Sequence, residues 1–510
     1  MKKYDVIVIG AGAAGLGSSG VANVLGLKTL LIEKNQDNFG GDCTNFGCVP
    51  SKALIHIANQ FHQAKLAGRF GLQTSGKADM GRVLDHIHQM QEYIKDTEDA
   101  QALRKKGIDV VIGKAVFDAK DSVKVGAERY TARVILLCTG SSPRSIEIEG
   151  MDILKVYTNE TIFFDCRVLP ENLMVIGGGP VGCELGQAFS RLGAKVTIVN
   201  RGTRLLGKEP ENVSEILEGR FQGEGIQILN GAEVQRFENG KAFITSNAEN
   251  VLPKKNSLPK EKVTLSSEKE NPAKRNPTKE NQVFEIPCDA VLISVGRTVN
   301  TKGMQLGKAG IELTEKGTIK VDKYLQSTNK KVYVIGDAAG SYMFSHGAEK
   351  MVRQLWRNLL IPIFKKKNTY DDLSWVTFTD PQVAHFGSTE EKLRERNIRF
   401  HRQDQNFGHD DRAIVEEYTY GSMSLWLDNN RSIGKKKILS GSMIAPHAGE
   451  LVQELELAKH TGTPINKLND RVYPYPVAAR INQKAIGGVM EQTRTAWKLK
   501  LARTVFRWFH

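Results

Sequence analysis

Two stretches of the chain repeat one local pattern, in which a run of apolar residues leads into a glycine-rich turn and then a helix-like periodicity. The first covers residues 4–26 and continues into the apolar run 27–33, and the second covers 173–193 and continues into 194–200. Apolar runs joined by a helical pattern are typical of parallel strands connected by a crossover helix. The pattern therefore predicts two βαβ units and, with them, two nucleotide-binding domains in tandem.

The C-terminal part of the chain follows a different pattern. From about residue 371, apolar runs at 375–378, 423–427 and 438–444 predict strands, and residues 450–459 predict a helix. The predicted fold class is therefore α/β, with two Rossmann-like nucleotide-binding domains followed by a C-terminal α+β domain.

A polar stretch interrupts the second predicted unit. Residues 246–282 hold four Pro, no aromatic residue and seven apolar residues in 37 positions. Such a composition buries too little apolar surface to offset the entropy cost of ordering. We interpret it as a disordered insertion because strand-like runs resume at 283–286 and 290–294; a linker between domains is the alternative.

Length and composition narrow the class of protein. The 510 residues are 40% hydrophobic and 25% charged, and the longest apolar stretch, 359–364, is far shorter than the roughly 20 residues of a membrane-spanning helix. The N-terminus leads straight into a strand-like run and lacks the cleavage site of a signal peptide. We therefore expect a cytoplasmic protein.

The formal net charge of +14 is concentrated in three segments. Residues 246–282, 352–367 and 493–510 contribute +3, +5 and +5. Because the rest of the chain is nearly neutral, a broad nucleic-acid-binding surface is not expected.

The tail, residues 493–510, has the pattern of a basic amphipathic helix. Apolar residues recur at helical spacing with basic residues between them: Trp497, Leu501, Val505 and Trp508, with Lys498, Lys500, Arg503 and Arg507. Such helices lie in the interface of a bilayer, which predicts peripheral binding to the inner face of the membrane. Residues 352–367, with Trp356 beside five basic residues, predict a second contact. The alternative is that both segments pack on the C-terminal domain with their charges solvated.

Six cysteines in 510 residues are too few for a disulfide framework. Four stand alone and are expected to be small buried side chains: Cys138, Cys166, Cys183 and Cys288. Cys43 and Cys48 form a close pair, and because no further ligands follow at the spacing of a metal site, a redox-active pair is favoured and no metal is expected. One helical turn would bring the two sulfurs within bonding distance, and a helix N-terminus stabilises a thiolate.

The first glycine motif has the spacing of a dinucleotide-binding turn. Gly10, Gly12 and Gly15 follow the first predicted strand, and Glu33 lies near the ~20-residue offset expected of a ribose-binding acid. Glycines at these positions let a pyrophosphate approach the backbone N–H groups at the start of the helix. The motif therefore predicts a bound nucleotide.

The second glycine motif consists of Gly177, Gly179 and Gly182. Asn200 and Arg201 stand where an acid would bind a ribose 2′-hydroxyl. Because arginine attracts a 2′-phosphate, NADPH is favoured over NADH. The alternative is that Arg201 is a solvated loop residue.

Five further motifs complete a family pattern. They are residues 40–52, 138–140, 295–298, 334–338 and 376–381. In this order they resemble the class I pyridine nucleotide–disulfide oxidoreductases, the family of glutathione reductase, lipoamide dehydrogenase and mercuric reductase. The resemblance covers essentially the whole chain apart from the insertion, and it implies FAD in the first domain and NADP or NAD in the second.

The resemblance also implies roles for individual residues. Cys48 corresponds to the flavin-proximal charge-transfer thiolate, and Cys43 to the interchange sulfur that meets the substrate. Lys52 corresponds to the residue beside the reactive flavin edge, paired with Glu184. Further cofactor contacts are implied at Ala115, Thr139, Gly140, Asp337 and Gly296.

The implied domain order follows the family. It consists of an FAD-binding domain (1–150), an NAD(P)-binding domain that contains the insertion (151–296), a return to the FAD-binding and central region (297–370), an interface domain (371–492) and the basic tail (493–510). In the family the interface domain joins two copies of the chain, so the resemblance implies a homodimer.

One position departs from the pattern of glutathione reductase and lipoamide dehydrogenase. Their interface domain delivers a His followed by Pro, with a Glu five residues after the His, whereas here Tyr475 takes the His position and Arg480 the Glu position. A phenol and a guanidinium are poor bases at neutral pH, so exchange with glutathione or lipoamide is not expected. Mercuric reductase also has a Tyr at this position. Mercuric reductase additionally uses a cysteine pair at its C-terminus, however, and this sequence lacks that pair because its last cysteine is Cys288.

Three functional hypotheses remain. The leading one is an NAD(P)H-dependent flavoenzyme that resembles mercuric-reductase-like flavoproteins and passes electrons through Cys43 and Cys48 to a metal ion, a quinone or an oxidant. The second is a dihydrolipoamide dehydrogenase component of a 2-oxoacid complex. The third is a membrane-surface flavoprotein whose role is interaction rather than catalysis.

Overall fold

The structure is a computed structural model that describes residues 1–246, 282–371, 373–492 and 496–510. It contains two compact units. The nucleotide-binding unit comprises Met1–Thr203 and Glu224–Thr369, and the C-terminal unit comprises Arg204–Gly223 and Tyr370–His510. Among the described residues, no helix combines the length and the apolar character that crossing a membrane requires.

The chain contains 22 strands within the described residues. In chain order they are β1 (Lys2–Ile9), β2 (Thr29–Glu33), β3 (Asp109–Ile112), β4 (Val116–Ala119), β5 (Ser122–Val125), β6 (Glu128–Leu137), β7 (Ser141–Pro143), β8 (Lys155–Tyr157), β9 (Asn172–Ile176), β10 (Lys195–Asn200), β11 (Gln227–Asn230), β12 (Ala232–Glu238), β13 (Lys241–Ser246), β14 (Gln282–Pro287), β15 (Ala290–Ile293), β16 (Arg297–Val299), β17 (Val332–Val334), β18 (Ser374–Thr377), β19 (Gln382–Gly387), β20 (Phe400–Asn406), β21 (Ser422–Asp428) and β22 (Ile438–Ala445).

The α-helices range from single turns to five turns in length. In chain order they are α1 (Ala13–Val24), α2 (Gly41–Asn45), α3 (Cys48–Leu66), α4 (Met80–Lys95), α5 (Ala100–Lys105), α6 (Ile162–Asp165), α7 (Pro180–Leu192), α8 (Glu211–Gly223), α9 (Ser345–Leu360), α10 (Glu390–Glu395), α11 (Asp411–Val415), α12 (Ala448–Leu451), α13 (Gln453–Thr461), α14 (Ile465–Asn469), α15 (Arg480–Glu491) and α16 (Ala496–Phe509).

A parallel sheet lies at the centre of the nucleotide-binding unit. Strands β3, β2, β1 and β6 follow one another in it, β17 also pairs with β6, and β5 and β4 extend the sheet in antiparallel fashion. The neighbouring residues Ile7 and Val8 point to opposite faces and are both fully buried, as expected of a parallel strand covered on both sides. The first predicted βαβ unit is confirmed as β1, α1 and β2.

A second sheet in the same unit has the order β11, β10, β9, β15, β8, and all of its strands are parallel. Strands β9 and β10 with helix α7 confirm the second predicted βαβ unit. The antiparallel strands β12, β13 and β14 form a separate small sheet in which Ser246 pairs with Gln282. The predicted insertion therefore begins and ends at partner positions of two adjacent strands; between these two residues it lies outside the described residues.

The C-terminal unit contains an antiparallel sheet with the order β18, β19, β22, β21, β20. The strands predicted at 375–378, 423–427 and 438–444 are confirmed as β18, β21 and β22. The helix predicted at 450–459 is present as two helices, α12 and α13, which are separated at Val452. The α+β class predicted for this part of the chain is thereby confirmed.

Residues 204–223, which carry α8, belong to the C-terminal unit although they precede it in the chain. The Asn212 side chain in α8 donates a hydrogen bond to the Ser422 hydroxyl in β21 at 3.2 Å. The indole N–H of Trp375 in β18 donates to the Glu209 carboxylate at 2.6 Å. This excursion of the chain is thus fixed to the antiparallel sheet by polar contacts.

The four isolated cysteines are buried, as predicted: Cys138, Cys166, Cys183 and Cys288. Burial raises the pKa of the thiols of Cys138, Cys166 and Cys288, because a thiolate is poorly solvated in apolar surroundings. These side chains contribute to packing and are not poised to react.

Candidate active site

The first glycine turn, between β1 and α1, is built for close approach of the backbone. Gly10 has a φ of +105°, and a Cβ atom there would lie 2.4 Å from the carbonyl oxygen of Cys138. A Cβ atom at Gly15 would lie 1.8 Å from the carbonyl oxygen of Gly10. Only glycine fits these positions, so the helix begins directly against the strand and its N-terminal N–H groups face the turn.

Glu33 ends β2 beside this turn. Its buried carboxylate accepts a hydrogen bond from the backbone N–H of Ala11 at 2.8 Å and another from Lys34 at 2.8 Å. No side chain among the described residues caps α1 at Gly12. The turn, the uncapped helix and the adjacent acid fit a dinucleotide, with pyrophosphate at the helix N-terminus and ribose at the acid.

The second glycine turn has the same construction. Gly177 has a φ of +117°, and a Cβ atom at Gly182 would lie 2.1 Å from the carbonyl oxygen of Gly177. Gly179 begins α7 with no other described atom near the position of a Cβ. This turn therefore fits a second dinucleotide.

Asn200 is the last residue of β10, and Arg201 follows it, beside the second turn. The Asn200 side chain donates to the side-chain oxygen of Asn230 at 2.9 Å. The Arg201 guanidinium is exposed and forms an ion pair with Glu233 at 2.6 Å. Arg201 therefore follows the strand at which 2′-phosphate recognition is expected, but in this structure its guanidinium is paired with the Glu233 carboxylate.

The two cysteines lie in successive helices. Cys43 is in the short helix α2, and Cys48 is the first residue of α3. The prediction that one helical turn joins the two cysteines is wrong, because α2 ends at Asn45 and Phe46 and Gly47 separate it from α3. The expected position of a cysteine at a helix N-terminus is confirmed for Cys48.

A further neighbour, not predicted from the sequence, stabilises the thiolate form of Cys48. The Cys48 sulfur lies 3.4 Å from the hydroxyl of Ser345, the first residue of the long helix α9. Hydrogen bonding from Cys43, with further contributions from Ser345 and the Lys52 charge, lowers the pKa of Cys48 to about 6. At neutral pH Cys48 is therefore largely a thiolate, at the N-terminal ends of α3 and α9.

Cys43 behaves in the opposite way. Its hydrogen bond with Cys48 and its own burial raise its pKa well above the ordinary value of a thiol. The pair is therefore asymmetric, with one thiolate and one thiol that share a hydrogen bond. Both cysteines are in the free, reduced form in this structure.

Lys52 lies one turn after Cys48 in α3. Its ammonium group forms an ion pair with the Glu184 carboxylate at 2.9 Å, which joins α3 to α7. Glu184 is buried and Lys52 is partly exposed. The buried carboxylate therefore holds the Lys52 ammonium group in place close to the cysteines.

A polar network links the cysteine segment to Asp337. The Ser141 hydroxyl donates to Asp337 at 2.6 Å, and the Arg297 guanidinium donates to the Ser141 hydroxyl at 2.7 Å and to Asp42 at 2.9 Å. Burial raises the pKa of Asp337. Ser141 and Asp42 were not singled out from the sequence, although Asp42 adjoins Cys43.

The remaining implied contact residues lie in the same unit. The Thr139 hydroxyl donates to the carbonyl of Asn300 at 2.8 Å, which fixes the segment that contains Gly140. Ala115 is buried just before β4. Gly296 has a φ of +106° and no described atom near the position of a Cβ.

Tyr475 lies in the C-terminal unit and is 68% exposed. The guanidinium of Arg480 lies over its ring at 5.0 Å from the centroid. The pair at the family's His and Glu positions is thus a ring–guanidinium contact on the surface of this unit.

Two family profiles match the chain. The one described as pyridine nucleotide-disulphide oxidoreductase matches residues 4–351, and the one described as the dimerisation domain of that family matches residues 373–486. The first match alone spans more than half of the chain.

Individual relatives agree with these profiles. A mercuric reductase of Lysinibacillus sphaericus is 28% identical over 473 residues, which cover 92% of this chain and 80% of the relative. A dihydrolipoyl dehydrogenase of Thermus scotoductus is 29% identical over 489 residues, which cover 93% and 95%.

Solved structures share the fold. The Cu(II) complex of the HOCl-induced flavoprotein disulfide reductase RclA from Escherichia coli has a TM-score of 0.76 and 23% identity, and it covers 96% of this chain and 99% of its own. LpdA from Mycobacterium tuberculosis has a TM-score of 0.77 and 20% identity, with coverage of 96% and 100%.

Proposed function

Because the chain belongs to the pyridine nucleotide-disulphide oxidoreductase family, which uses FAD and a pyridine nucleotide, we propose that it transfers electrons from NAD(P)H through Cys43 and Cys48 to an acceptor that requires little proton transfer. A metal ion accepts electrons without protons, and a quinone or a small oxidant can take its protons from water rather than from a base in the site. The observation that carries the proposal is the position of Cys48, which begins α3 beside Cys43 with its sulfur 3.4 Å from the Ser345 hydroxyl.

The pair supports a two-electron step. When the thiolate of Cys48 and the thiol of Cys43 form a disulfide, the S–S bond forms, two electrons leave for the acceptor, and the one proton of Cys43 is released. In the reverse direction, two electrons break the bond and one proton returns to Cys43. The low pKa of Cys48 means that the second sulfur needs no proton near neutral pH.

The chain supplies the groups that hold the cofactors. Gly10, Gly12 and Gly15 with Glu33 and Asp337 would hold FAD, which when bound relays an electron pair between the nicotinamide and the sulfurs. Gly177, Gly179 and Gly182 would hold the nicotinamide nucleotide at the start of α7. Lys52, held by Glu184, places a positive charge that stabilises negative charge arising next to Cys48.

The residues at the family's base position select the class of acceptor. Thiol–disulfide exchange with a dithiol substrate requires a group that removes and returns protons, and a phenol and a guanidinium, here Tyr475 and Arg480, are poor proton acceptors. An acceptor that takes electrons directly places no such demand on the site. We therefore favour a metal ion, quinone or oxidant over a dithiol, although the chain has dihydrolipoyl dehydrogenase relatives.

Anaerobic titration followed by an acceptor screen tests the proposal. With FAD bound, two electrons from NADPH are expected to produce a long-wavelength absorbance from the Cys48 thiolate beside the flavin. A metal ion, quinone or oxidant is then expected to remove the absorbance faster than lipoamide or oxidised glutathione. Rapid NADH formation from dihydrolipoamide would instead indicate a dihydrolipoamide dehydrogenase, and no such absorbance in FAD-loaded protein would indicate an interaction role.

A further inference from the structure

The C-terminal helix α16 presents apolar side chains to solvent along its whole length. Within the part of the chain that the structure describes, no residue of α16 is buried. Its large apolar side chains are between 43% and 79% exposed: Trp497, Leu499, Leu501, Val505, Phe506, Trp508 and Phe509. Exposure of this much contiguous apolar surface marks an interaction site rather than a solvated face.

Three of the four basic residues of α16 lie on a side of the helix separate from its main apolar stripe. At 100° per residue, Lys500, Arg503 and Arg507 fall within about 60° of one another on one side of the helix. Trp497, Leu501, Val505 and Trp508 fall on another side, and no acidic residue occurs in the helix: Ala496–Phe509. The helix is thus amphipathic, with a purely cationic polar stripe.

The two tryptophans of α16 lie at positions typical of a helix in a membrane interface. Trp497 and Trp508 are near opposite ends of α16, and tryptophan prefers the headgroup level of a bilayer because one side of its ring is apolar and its N–H is polar. Lys498 lies near the N-terminal end on the apolar side, with its ammonium 5.7 Å from the centroid of the Trp497 ring. Its long stem lets that charge reach the headgroups.

We propose that α16 binds the surface of an anionic phospholipid bilayer and lies parallel to it, with Trp497, Leu501, Val505 and Trp508 buried among the headgroups. At 1.5 Å per residue the 14-residue helix is about 21 Å long, too short to cross the roughly 30 Å hydrocarbon core. Charge complementarity selects the occupant, because the cationic stripe matches anionic headgroups, whereas a second α16 would bring like charges together.

A second segment has the same chemistry and is independent of α16. Ile363 and Phe364, just after α9, are 86% and 71% exposed and precede Lys365, Lys366 and Lys367. The turn is fixed by hydrogen bonds, since Asn358 donates to the carbonyl of Lys366 at 2.9 Å and accepts from its N–H at 2.9 Å. A fixed turn that exposes two apolar side chains beside three lysines suits the same surface.

Trp356 does not take part in this second contact. It is only 5% exposed and packs inside the nucleotide-binding unit, so the sequence-based expectation that it contacts the membrane is wrong. The exposed large apolar side chains of the predicted segment lie only in its C-terminal half, at Leu360, Ile361, Ile363 and Phe364.

Vesicle co-sedimentation of the full-length, FAD-loaded protein tests the proposal. The vesicles are phosphatidylcholine alone or phosphatidylcholine mixed with phosphatidylglycerol, at low salt. The variant K500Q/R503Q/R507Q removes the cationic stripe, and W497S/W508S removes the aromatic anchors. The matched control K308Q/K316Q/K330Q removes the same charge from exposed lysines elsewhere.

We expect binding to the anionic vesicles only. Each basic residue near an anionic surface strengthens binding about fivefold, so the loss of three is expected to weaken it more than tenfold, while the control binds like the parent. W497S/W508S is expected to weaken binding with its charge unchanged, and I363S/F364S to weaken it independently.

Several outcomes would overturn the proposal. These are negligible binding of the parent protein to both kinds of vesicle, equal binding to neutral and anionic vesicles, or an equal loss in the lysine control. If W497S/W508S changed from dimer to monomer and still bound vesicles, the apolar side of α16 would be a contact between two copies of the chain rather than with a membrane.

Discussion

The hydroxyl of Ser345 lies 3.4 Å from the sulfur of Cys48, although 297 positions separate the two residues in the chain. This contact places the N-terminus of α9 next to the N-terminus of α3. Two helix ends and one hydroxyl therefore stabilise the same thiolate.

Removing this hydroxyl is expected to raise the pKa of Cys48. A hydrogen bond to a charged group is strong enough that its loss shifts a pKa by about one unit. In Ser345→Ala the pKa of Cys48 is therefore expected to rise from about 6 towards 7. The thiolate absorbance of the two-electron-reduced enzyme, followed from pH 5 to 9, measures this, because it appears as pH rises through the pKa. Ser345→Thr keeps the hydroxyl and is expected to titrate like the parent; an unchanged midpoint in Ser345→Ala would contradict the role.

Cys43→Ser is expected to keep FAD and lose reduction of the acceptor. The glycine turn and Glu33 hold the nucleotide independently of the sulfurs, so the flavin spectrum is expected to be retained. Turnover with the acceptor found in the screen is expected to fall at least 100-fold, since the disulfide can no longer form. Cys166→Ala, at a buried cysteine, serves as the control. Full turnover of Cys43→Ser would mean that electrons leave directly from the flavin.

Lys52 and Glu184 are expected to act as one unit. Lys52→Met and Glu184→Gln each disturb the same positive charge, and each is expected to slow reduction by NADPH about tenfold. Because the two residues interact directly, the double variant is expected to be no slower than the slower single variant. Stopped-flow measurement of flavin reduction checks this, and additive losses would show that the ion pair is incidental.

Arg201 is expected to determine the choice of nucleotide. Arg201→Ala is expected to lower kcat/KM for NADPH about tenfold and to leave that for NADH unchanged, because only NADPH carries the 2′-phosphate. Glu233→Gln releases Arg201 from its ion pair and is expected to favour NADPH further. An equal change of kcat/KM for NADPH and NADH would show that Arg201 is a solvated surface residue with no role in recognising the 2′-phosphate.

The protein is expected to be a homodimer. The C-terminal unit matches a dimerisation domain, and its segment around Tyr475 exposes Val472 and Tyr475 at 89% and 68%. Sedimentation velocity at micromolar concentration measures the mass. An active, stable monomer of 56.5 kDa would contradict this expectation.

The glycine turns were predictable because their chemistry is local. Gly10 and Gly15 are five residues apart, and the close approach between them depends only on the strand, the turn and the helix of one βαβ unit. The same holds for Gly177 and Gly182. Spacing within a short segment therefore sufficed to identify both cofactor turns.

The surroundings of the cysteines were only partly predictable. Arg297 bonds to Asp42 across 255 positions, and nothing in the local pattern relates the two. The break between α2 and α3 at Phe46 and Gly47 is likewise not revealed by helical spacing alone. The composition of residues 352–367 drew attention to that segment but did not reveal that Trp356 lies on the buried face of α9.

The pairing of Ser246 with Gln282 has a consequence for the evolution and engineering of this fold. The two residues face each other at the end of a hairpin, so the number of residues that joins them affects closure of the hairpin only weakly. Chain can be gained, lost or exchanged at this point while every strand of the three-stranded sheet keeps its register. The hairpin end is thus a natural entry point for a reporter or a binding module.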